Sequence, residues 1–162
     1  MGDDGDMIRY RSIGVVHTPW TTVEDMPVQP SRAGDVEGVV EIFEPFVEAL
    51  ADVAGFSHVV LLTHLHRSRP WRPRVVPFLD TVERGLFATR SPSRPNPIGL
   101  SVVELVSVDG ARLTVRGVDL LDGTPLLDLK PYVGEFDARH GARFGWLEEA
   151  RARDVRSDDR FS

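Results

Sequence analysis

The densest group of side chains that could take part in a reaction lies in DLLDGTPLLDLKPYV, residues 119–133. Alternate side chains of an extended segment point the same way, so Asp128, Lys130 and Tyr132 are predicted to share one face. Charged groups among so many leucines should be paired, hydrogen-bonded or used in a reaction. Lys130 is the only lysine in a chain with 18 arginines, which favours a site that needs a compact ammonium. A structural ion pair is the alternative interpretation.

The segment TRSPSRPNPIGLS, residues 89–101, contains three prolines and two arginines ahead of an apolar run. Each prolyl ring fixes φ and pushes the preceding residue towards an extended conformation. The unit Arg94-Pro95-Asn96-Pro97 therefore has few conformations to lose when it orders. Such a loop can hold side chains in place for a ligand, or it can only connect two strands. The proline-bounded loop PVQPSR, residues 27–32, leaves the same two alternatives open.

Positive charge is concentrated in one part of an acidic chain. The formal net charge is −6, yet residues 64–94 contain seven arginines and only two acidic residues. A positive patch on an acidic body is typical of an anion-binding face. The alternative is that the arginines only reflect the composition of the chain. The seven are Arg67, Arg69, Arg72, Arg74, Arg84, Arg90 and Arg94.

Three histidines lie at intervals of six and then two positions, both even numbers, in SHVVLLTHLH, residues 57–66. If this segment is a buried strand, His58, His64 and His66 lie on the same face. A His-x-His pair on a strand can bind zinc, iron or copper. A metal site needs a third ligand, however, and we expect no metal. The favoured alternative is that the histidines form hydrogen bonds inside the barrel or face the arginine-rich loop.

The bulk composition excludes several classes of protein. A chain of 162 residues, 41% of them hydrophobic, is long enough for one globular domain with a core. It has no cysteine, which excludes disulfides, thiolate metal sites and a cysteine nucleophile. No apolar run approaches the ~20 residues of a membrane span, and the acidic start MGDDGD is unlike a signal peptide. We expect a cytoplasmic protein. Dinucleotide-binding, Walker, G-x-S-x-G and H-E-x-x-H motifs are absent.

The elements that would position these residues are mostly short strands. Apolar spacing predicts one helix over 44–56, and Asp109-Gly110 predicts a hairpin with a type I′ turn. Many short strands at regular spacing favour an all-β fold, a small, mostly antiparallel β-barrel with one or two short helices. We expect a flexible acidic N-terminus at 1–8, the barrel at 9–139 and a short, charged helical tail at 140–162. Further strands are predicted within 8–20, 36–43, 57–66, 75–80 and 86–90, and in the run 98–129.

Six segments in this order resemble the TsaA/TrmO-like family. They are GVVHTPW, MPVQPSR, EGVVEIF, GFSHVVLLTHLHRS, GLFATRSPSRPNPIGLSVVELVSV and DLLDGTPLLDLKPYV, and the similarity runs from about Arg9 to Phe136. RPNPIGLS together with DGTPLLDLKPY is its most specific part. The resemblance implies a β-barrel S-adenosylmethionine-dependent methyltransferase. It would act on N6 of threonylcarbamoyladenosine, beside the anticodon of tRNA, as a homodimer with the cofactor near the subunit boundary.

The same resemblance implies roles for individual residues. Asn96, Asp128, Lys130 and Tyr132 match the motif's polar positions and are expected at the reacting end, with Asp128 or a histidine as the base. The arginine patch is expected to contact tRNA, through Arg69, Arg72, Arg74 and Arg94. Cofactor contacts are expected from Pro30, Ser31, Arg32, His66, Arg67, Arg90, Leu100, Asp122, Gly123 and Thr124.

Other function classes stay open at this point. The same cofactor pocket could serve a different methyl acceptor, or the chain could be a cofactor-sensing or anion-binding barrel that is not an enzyme. A metal-dependent barrel that uses His64 and His66 is a further alternative. Longer members of the family carry an additional C-terminal domain, where a short charged tail is expected here.

Overall fold

A computed structural model describes residues 6–24, 26, 34–78 and 80–151. The chain folds into two compact units. The barrel unit comprises the described residues of Met1–Ser68 and Pro97–Val133. The second unit comprises those of Arg69–Asn96 and Gly134–Ser162.

The barrel unit is a closed, antiparallel sheet of six strands, which confirms the predicted fold class. The strands are β1 (Gly14–His17), β2 (Glu37–Ile42), β3 (His58–His64), β6 (Ile98–Asp109), β7 (Arg112–Arg116) and β8 (Thr124–Pro131). Their order around the barrel is β1-β2-β7-β6-β3-β8, and β1 closes it by pairing with β8. Because β3 lies between β6 and β8, the two most distinctive sequence segments flank the histidine strand.

Side chains that alternate between the two faces of each strand form the core of the barrel. In β3, for example, Val59, Leu61 and Thr63 are buried, whereas their neighbours are partly or fully exposed. This strand was predicted to be buried. The prediction is confirmed for the side chains on its inward face and wrong for those on its outward face. The core also includes Val16, Val40, Val103, Leu113, Val115 and Leu126, all at most 1% exposed.

The predicted helix over 44–56 is wrong in type and in continuity. The segment forms two 3₁₀ helices, Glu44–Leu50 and Val53–Gly55. Asp52, between them, has a φ of 69°, and one residue in the left-handed region ends a right-handed helix. Phe46, Leu50 and Val53 still pack against the barrel core, so the apolar spacing indicated the buried side correctly.

The hairpin at Asp109-Gly110 is present, but its predicted turn type is wrong. Asp109 pairs with Arg112, so the two loop residues are Gly110 and Ala111. Gly110 has a φ of 57°, whereas Ala111 is not in the left-handed region. A type I′ turn requires positive φ at both residues, and glycine at the first position alone is the pattern of type II′.

The second unit contains a two-stranded sheet of β4 (Arg74–Val75) and β5 (Arg84–Gly85), and a 3₁₀ helix, Leu86–Ala88. The predicted strand at 86–90 is therefore wrong, and the strand predicted at 75–80 coincides with β4 only at Val75. A helix α1 (Gly134–Asp137) and a helical segment at 146–151 follow the barrel, the latter within the predicted tail. Within the described ranges, no helix is long and apolar enough to cross a membrane.

Aromatic and charged side chains hold the second unit together. Arg84 pairs with Asp80 at 2.8 Å, and its guanidinium lies over the ring of Trp146, 5.6 Å from the centroid. The Trp146 indole donates to the carbonyl of Ala88 at 2.7 Å. Removal of the Asp80 carboxylate from water opposes its ionisation, but the amides of Thr81 and Val82 and the Arg84 guanidinium prevail and lower its pKa. Asp80 is thus a charged anchor for this unit.

Candidate functional site

The outer face of β8, β3 and β6 brings predicted site residues into one row. In the register of these strands, Asp128 lies opposite Leu62, and Leu62 lies opposite Leu100. All three point away from the core, because the buried residues of β3 are its other set. Leu100 is 59% exposed although it is apolar. A carboxylate therefore borders an open apolar surface, an arrangement that suits a ligand with both an apolar and a polar part.

Asp128 and Lys130 form an ion pair on this face. Lys130 Nζ lies 2.9 Å from Asp128 Oδ2, and both side chains are about half exposed. Asp128 Oδ1 accepts a hydrogen bond from the amide of Leu129 at 2.9 Å. The prediction that Asp128 and Lys130 share a face is confirmed. Since each carboxylate oxygen has a partner, the carboxylate has a defined orientation.

Tyr132 lies further along the same outer face, beside His58. Their ring centroids are 6.2 Å apart in an edge-to-face arrangement, and the amide of Tyr132 donates to the carbonyl of His58. On the same imidazole, Nδ1 of His58 lies 2.8 Å from the Ser57 hydroxyl, within hydrogen-bond distance. His58 and Tyr132 therefore form an aromatic pair at the start of β3, and Tyr132 lies four residues after Asp128 in the chain.

His66 and Arg67 follow the opposite end of β3. The amide of Leu65 donates to the carbonyl of Pro97 at 2.8 Å, which fixes this end of the RPNPIG motif against the histidine segment. Partial burial of His66, together with the charges of Arg67 and His64, lowers the pKa of its imidazole. Its neutral form is therefore favoured, and it can accept a hydrogen bond or lie beside a cationic ligand.

One alternative placed the histidines inside the barrel. That alternative is wrong, because they do not face the barrel interior. His58 and His64 are exposed on the outer face of β3, and His66 lies beyond the strand. Among the described residues, no group of three histidine or acidic side chains could hold a metal ion.

The turn at Asp122, Gly123 and Thr124 is firmly built. Gly123 has a φ of 81°, a conformation that favours glycine. The Thr124 hydroxyl is buried and donates to the carbonyl of Leu121 at 2.6 Å, so it supports the turn. Asp122 Oδ1 accepts from the amide of Thr18 at 3.0 Å while its side chain stays 41% exposed. Of the three predicted residues, Asp122 is the one whose side chain is open to a ligand.

His17 is a polar residue near this turn that sequence reasoning missed. Its Nδ1 lies 3.5 Å from Asp122 Oδ1 and its Nε2 lies 3.2 Å from Glu41 Oε2. Outward alternation of His17 on β1 and Glu41 on β2 was the available signal. The contact with Asp122 depends on barrel closure, which residue spacing alone does not reveal.

Asn96 and several arginines belong to the second unit. Arg94 Nη1 donates to the carbonyls of Thr89 at 2.8 Å and Ser91 at 3.3 Å, so this guanidinium stiffens its own loop. Arg69, Arg72, Arg74, Arg90 and Asn96 have exposed side chains.

Three predicted cofactor contacts, Pro30, Ser31 and Arg32, lie outside the described residues. The other candidates fall into two sets, one in each unit. The barrel unit carries His66, Arg67, Leu100, Asp122, Gly123, Thr124, Asp128, Lys130 and Tyr132, and the second unit carries Arg69, Arg72, Arg74, Arg90, Arg94 and Asn96.

Comparison with known proteins identifies the family. Residues 15–138 match the model of the tRNA-methyltransferase O N-terminal domain. The chain belongs to the tRNA-methyltransferase O family. The match includes all six strands except the first residue of β1, and it confirms the resemblance seen in the sequence motifs.

Individual relatives agree with this assignment. A probable S-adenosyl-L-methionine-binding protein of Pyrococcus abyssi is 50% identical over 157 residues, which cover 96% of this chain and 85% of that one. The tRNA (adenine(37)-N6)-methyltransferase of Escherichia coli is 33% identical, over 91% of this chain and 67% of its own. The crystal structure of TrmO from Pseudomonas aeruginosa superposes with a TM-score of 0.73 at 40% identity. That alignment covers 86% of this chain and spans 62% of the Pseudomonas chain.

Proposed function

We propose that this chain is an S-adenosylmethionine-dependent tRNA methyltransferase. Its acceptor is N6 of an adenosine beside the anticodon, in the threonylcarbamoyl-modified form. The observation that supports this most directly is the row of Asp128, Leu62 and Leu100 on the outer face of a barrel of this family. The relatives named for S-adenosylmethionine binding and for tRNA adenine methylation support the same proposal.

The described residues fit the cofactor chemically. S-adenosylmethionine, when bound, supplies a methyl group already activated by a sulfonium. Leu100 and Leu62 offer apolar surface for the adenosyl part, and Arg67 of the same unit offers a guanidinium group suited to a carboxylate. The lowered pKa of His66 keeps a further positive charge away from a cationic ligand. The chain's main task is then alignment of the acceptor nitrogen with the methyl carbon, at ~3–3.5 Å.

Asp128 is the proposed base. The N6 nitrogen of threonylcarbamoyladenosine is ureido-like and a poor nucleophile, so its proton must be shared or removed as the new bond forms. Lys130 and the Leu129 amide hold the Asp128 carboxylate in one orientation while leaving it 44% exposed. We assign Lys130 a positioning role through this contact.

A homodimer is the proposed assembly. The outward residues of β6 present Ile98, Leu100 and Val102 to solvent, each at least 46% exposed. A continuous apolar strand face of this kind marks a protein interface. Leu100 belongs both to this face and to the proposed cofactor contacts, which fits a cofactor near the subunit boundary. Because tRNA is the proposed substrate, we place the enzyme in the cytoplasm.

Calorimetric titration of the purified protein with S-adenosylmethionine tests the cofactor. Saturable binding that Arg67→Ala abolishes would support the proposal. Arg112→Ala is the matched control and should retain binding, because Arg112 is another exposed arginine of the barrel unit and is not among the proposed contacts. Failure of the folded protein to bind S-adenosylmethionine, alone or with tRNA, would contradict it.

Methyl transfer to tRNA tests the acceptor and the base. Asp128→Asn should lower kcat about 10²–10⁴-fold with S-adenosylmethionine affinity retained, because a general base contributes that much. Asp109→Asn, a similar change in the exposed hairpin turn, should leave kcat unchanged. Full turnover by Asp128→Asn would refute Asp128 as the base. Transfer to another substrate but not to tRNA would refute the acceptor.

A further inference from the structure

An apolar cavity of about 300 Å³ lies within the segment 69–96 of the second unit. Its lining includes two aromatic rings, Trp71 and Phe87, and two prolyl rings, Pro73 and Pro95, together with Leu86. Phe87 is 80% exposed and Trp71 is 51% exposed. None of the roles proposed above uses these side chains.

The position of Phe87 is fixed by its surroundings. It is the central residue of the 3₁₀ helix Leu86–Ala88, whose buried Leu86 donates its amide to the carbonyl of Pro73 at 2.9 Å. The carbonyl of Ala88, the residue after Phe87, accepts a hydrogen bond from the Trp146 indole. Strand β5, which precedes this 3₁₀ helix, pairs with β4, and both Pro73 and Leu86, each next to one of these strands, line the cavity. An exposed aromatic ring on so constrained a turn is preorganised for a ligand.

One face of the Phe87 ring already has a cationic neighbour. The guanidinium carbon of Arg94 lies 5.6 Å from the ring centroid, within cation–π range. The same guanidinium donates to the carbonyls of Thr89 and Ser91, so it cannot leave without cost to the loop. The ring nonetheless remains largely exposed, which leaves aromatic surface for a second planar group.

The charge around the cavity identifies the kind of ligand. Segment 69–96 contains six arginines and two acidic residues. Both acids are paired, Asp80 with Arg84 at 2.8 Å and Glu83 with Arg74 at 3.8 Å. Arg69, Arg72 and Arg90 form no ion pair among the described residues. Proteins bind single-stranded nucleic acid with aromatic rings that stack on planar bases and with nearby unpaired cations that contact phosphates. The surroundings of this cavity have both features.

We propose that this cavity binds an unpaired nucleobase of the RNA substrate by stacking on Phe87 and Trp71. The inference rests on the proposed function, because it takes the anticodon loop of tRNA as the source of the base. It adds a binding site for a nucleotide other than the one that is methylated. The arginines that flank the cavity hold the backbone of the same strand, and the ring contacts fix which nucleotide lies beside them.

The test is the affinity of the full chain for an anticodon stem–loop RNA, measured by fluorescence anisotropy at fixed salt. Phe87→Ala should weaken binding about 5- to 100-fold, as expected for loss of one base–aromatic stack. Phe87→Trp should retain affinity, whereas Phe87→Leu should lose it, because stacking needs a π-face and not only apolar area. Phe136→Ala is the matched control, since Phe136 is 69% exposed and does not line the cavity.

A second arm uses the RNA in place of the protein. In a set of stem–loops, each loop position in turn is made abasic. One of these RNAs should bind the unaltered chain as weakly as the intact stem–loop binds Phe87→Ala. Phe87→Ala should bind that abasic RNA no more weakly than it binds the intact one. The dependence of log Kd on log salt should be the same for Phe87→Ala as for the unaltered chain, because no phosphate contact is removed.

The outcomes separate this inference from the proposed function. If the chain binds S-adenosylmethionine and methylates tRNA but Phe87→Ala binds RNA normally, the cavity inference is overturned and the function stands. If the chain binds S-adenosylmethionine but no RNA, both the acceptor and the cavity inference are overturned. Phe87→Leu with full affinity for the RNA would mean that the contact needs only apolar area and not a stacked base, and a lower solution mass of Phe87→Ala would indicate a second copy of the chain in the cavity. Either result would overturn the inference.

Discussion

Thr63 and Thr124 allow a sharp test of how the barrel core is stabilised. Both are buried threonines of the barrel, 0% and 2% exposed. The Thr124 hydroxyl donates to the carbonyl of Leu121, whereas the Thr63 hydroxyl has no hydrogen-bond partner among the described residues. Thr63 lies where the register between β3 and β8 shifts. Valine has nearly the shape of threonine, so substitution of each isolates the hydroxyl.

The two substitutions should have opposite signs. A buried polar group without a partner costs ~1–3 kcal/mol, so Thr63→Val should raise the free energy of unfolding by about 1 kcal/mol or more. Thr124→Val removes a satisfied hydrogen bond and should lower it by ~0.5–1.5 kcal/mol, or more if the Leu121 carbonyl is left without a donor. For a domain of this size, 1 kcal/mol corresponds to a change in Tm of about 2–4 °C.

Urea denaturation of the two variants and the unaltered chain measures these differences. The midpoint should rise for Thr63→Val and fall for Thr124→Val at constant m, because neither change alters the surface exposed on unfolding. A fall of the midpoint for both variants would refute the reasoning. It would mean that the Thr63 hydroxyl has an acceptor in solution, such as a buried water.

Two further predictions concern stability. Gly99→Ala should destabilise the barrel, because a Cβ there would lie 2.5 Å from Thr63 Oγ1; urea denaturation should show a lower midpoint, and an unchanged midpoint would contradict this close approach. Asp80→Asn should destabilise the protein near neutral pH. Since the folded pKa of Asp80 lies below its usual 3.8, its contribution is present above that pH and is lost as pH falls through the folded pKa. Thermal unfolding from pH 7 downward should therefore show the variant and the unaltered chain converging, and a constant difference would exclude this role.

Strand periodicity predicted the barrel better than it predicted the helices. Alternation marked β2 and β3 because a half-buried strand must place apolar residues on one side. Helical spacing failed over 44–56, where the same apolar residues pack in two 3₁₀ segments, since their spacing does not reveal the break at Asp52. The strand predicted at 86–90 is wrong because Leu86–Ala88 is a 3₁₀ helix, although Leu86 is buried and Phe87 exposed as they would be in a half-buried strand. Local patterns specify which side chains are apolar, and tertiary contacts decide the backbone that carries them.

The candidate site was predictable where it lies on a single strand. The contact of Asp128 with Lys130 follows from their spacing on β8. The alignment of Asp128 with Leu100 does not, because those residues belong to different strands and meet only through β3. Likewise, no sequence pattern indicated that Arg94 would bind the carbonyls of its own loop, or that His17 would reach Asp122.

The position of β3 between β6 and β8 has a consequence for synthesis of the chain. β3 has one neighbour that begins at residue 98 and another that begins at residue 124, so both of its edges wait for later residues. Such long-range pairing makes folding slow, and unpaired edges are prone to aggregate before closure. The proposed active-site row therefore does not exist on a nascent chain that ends before β8. The proposed methyl-donor site is therefore completed at the same step that pairs the last open edge of β3.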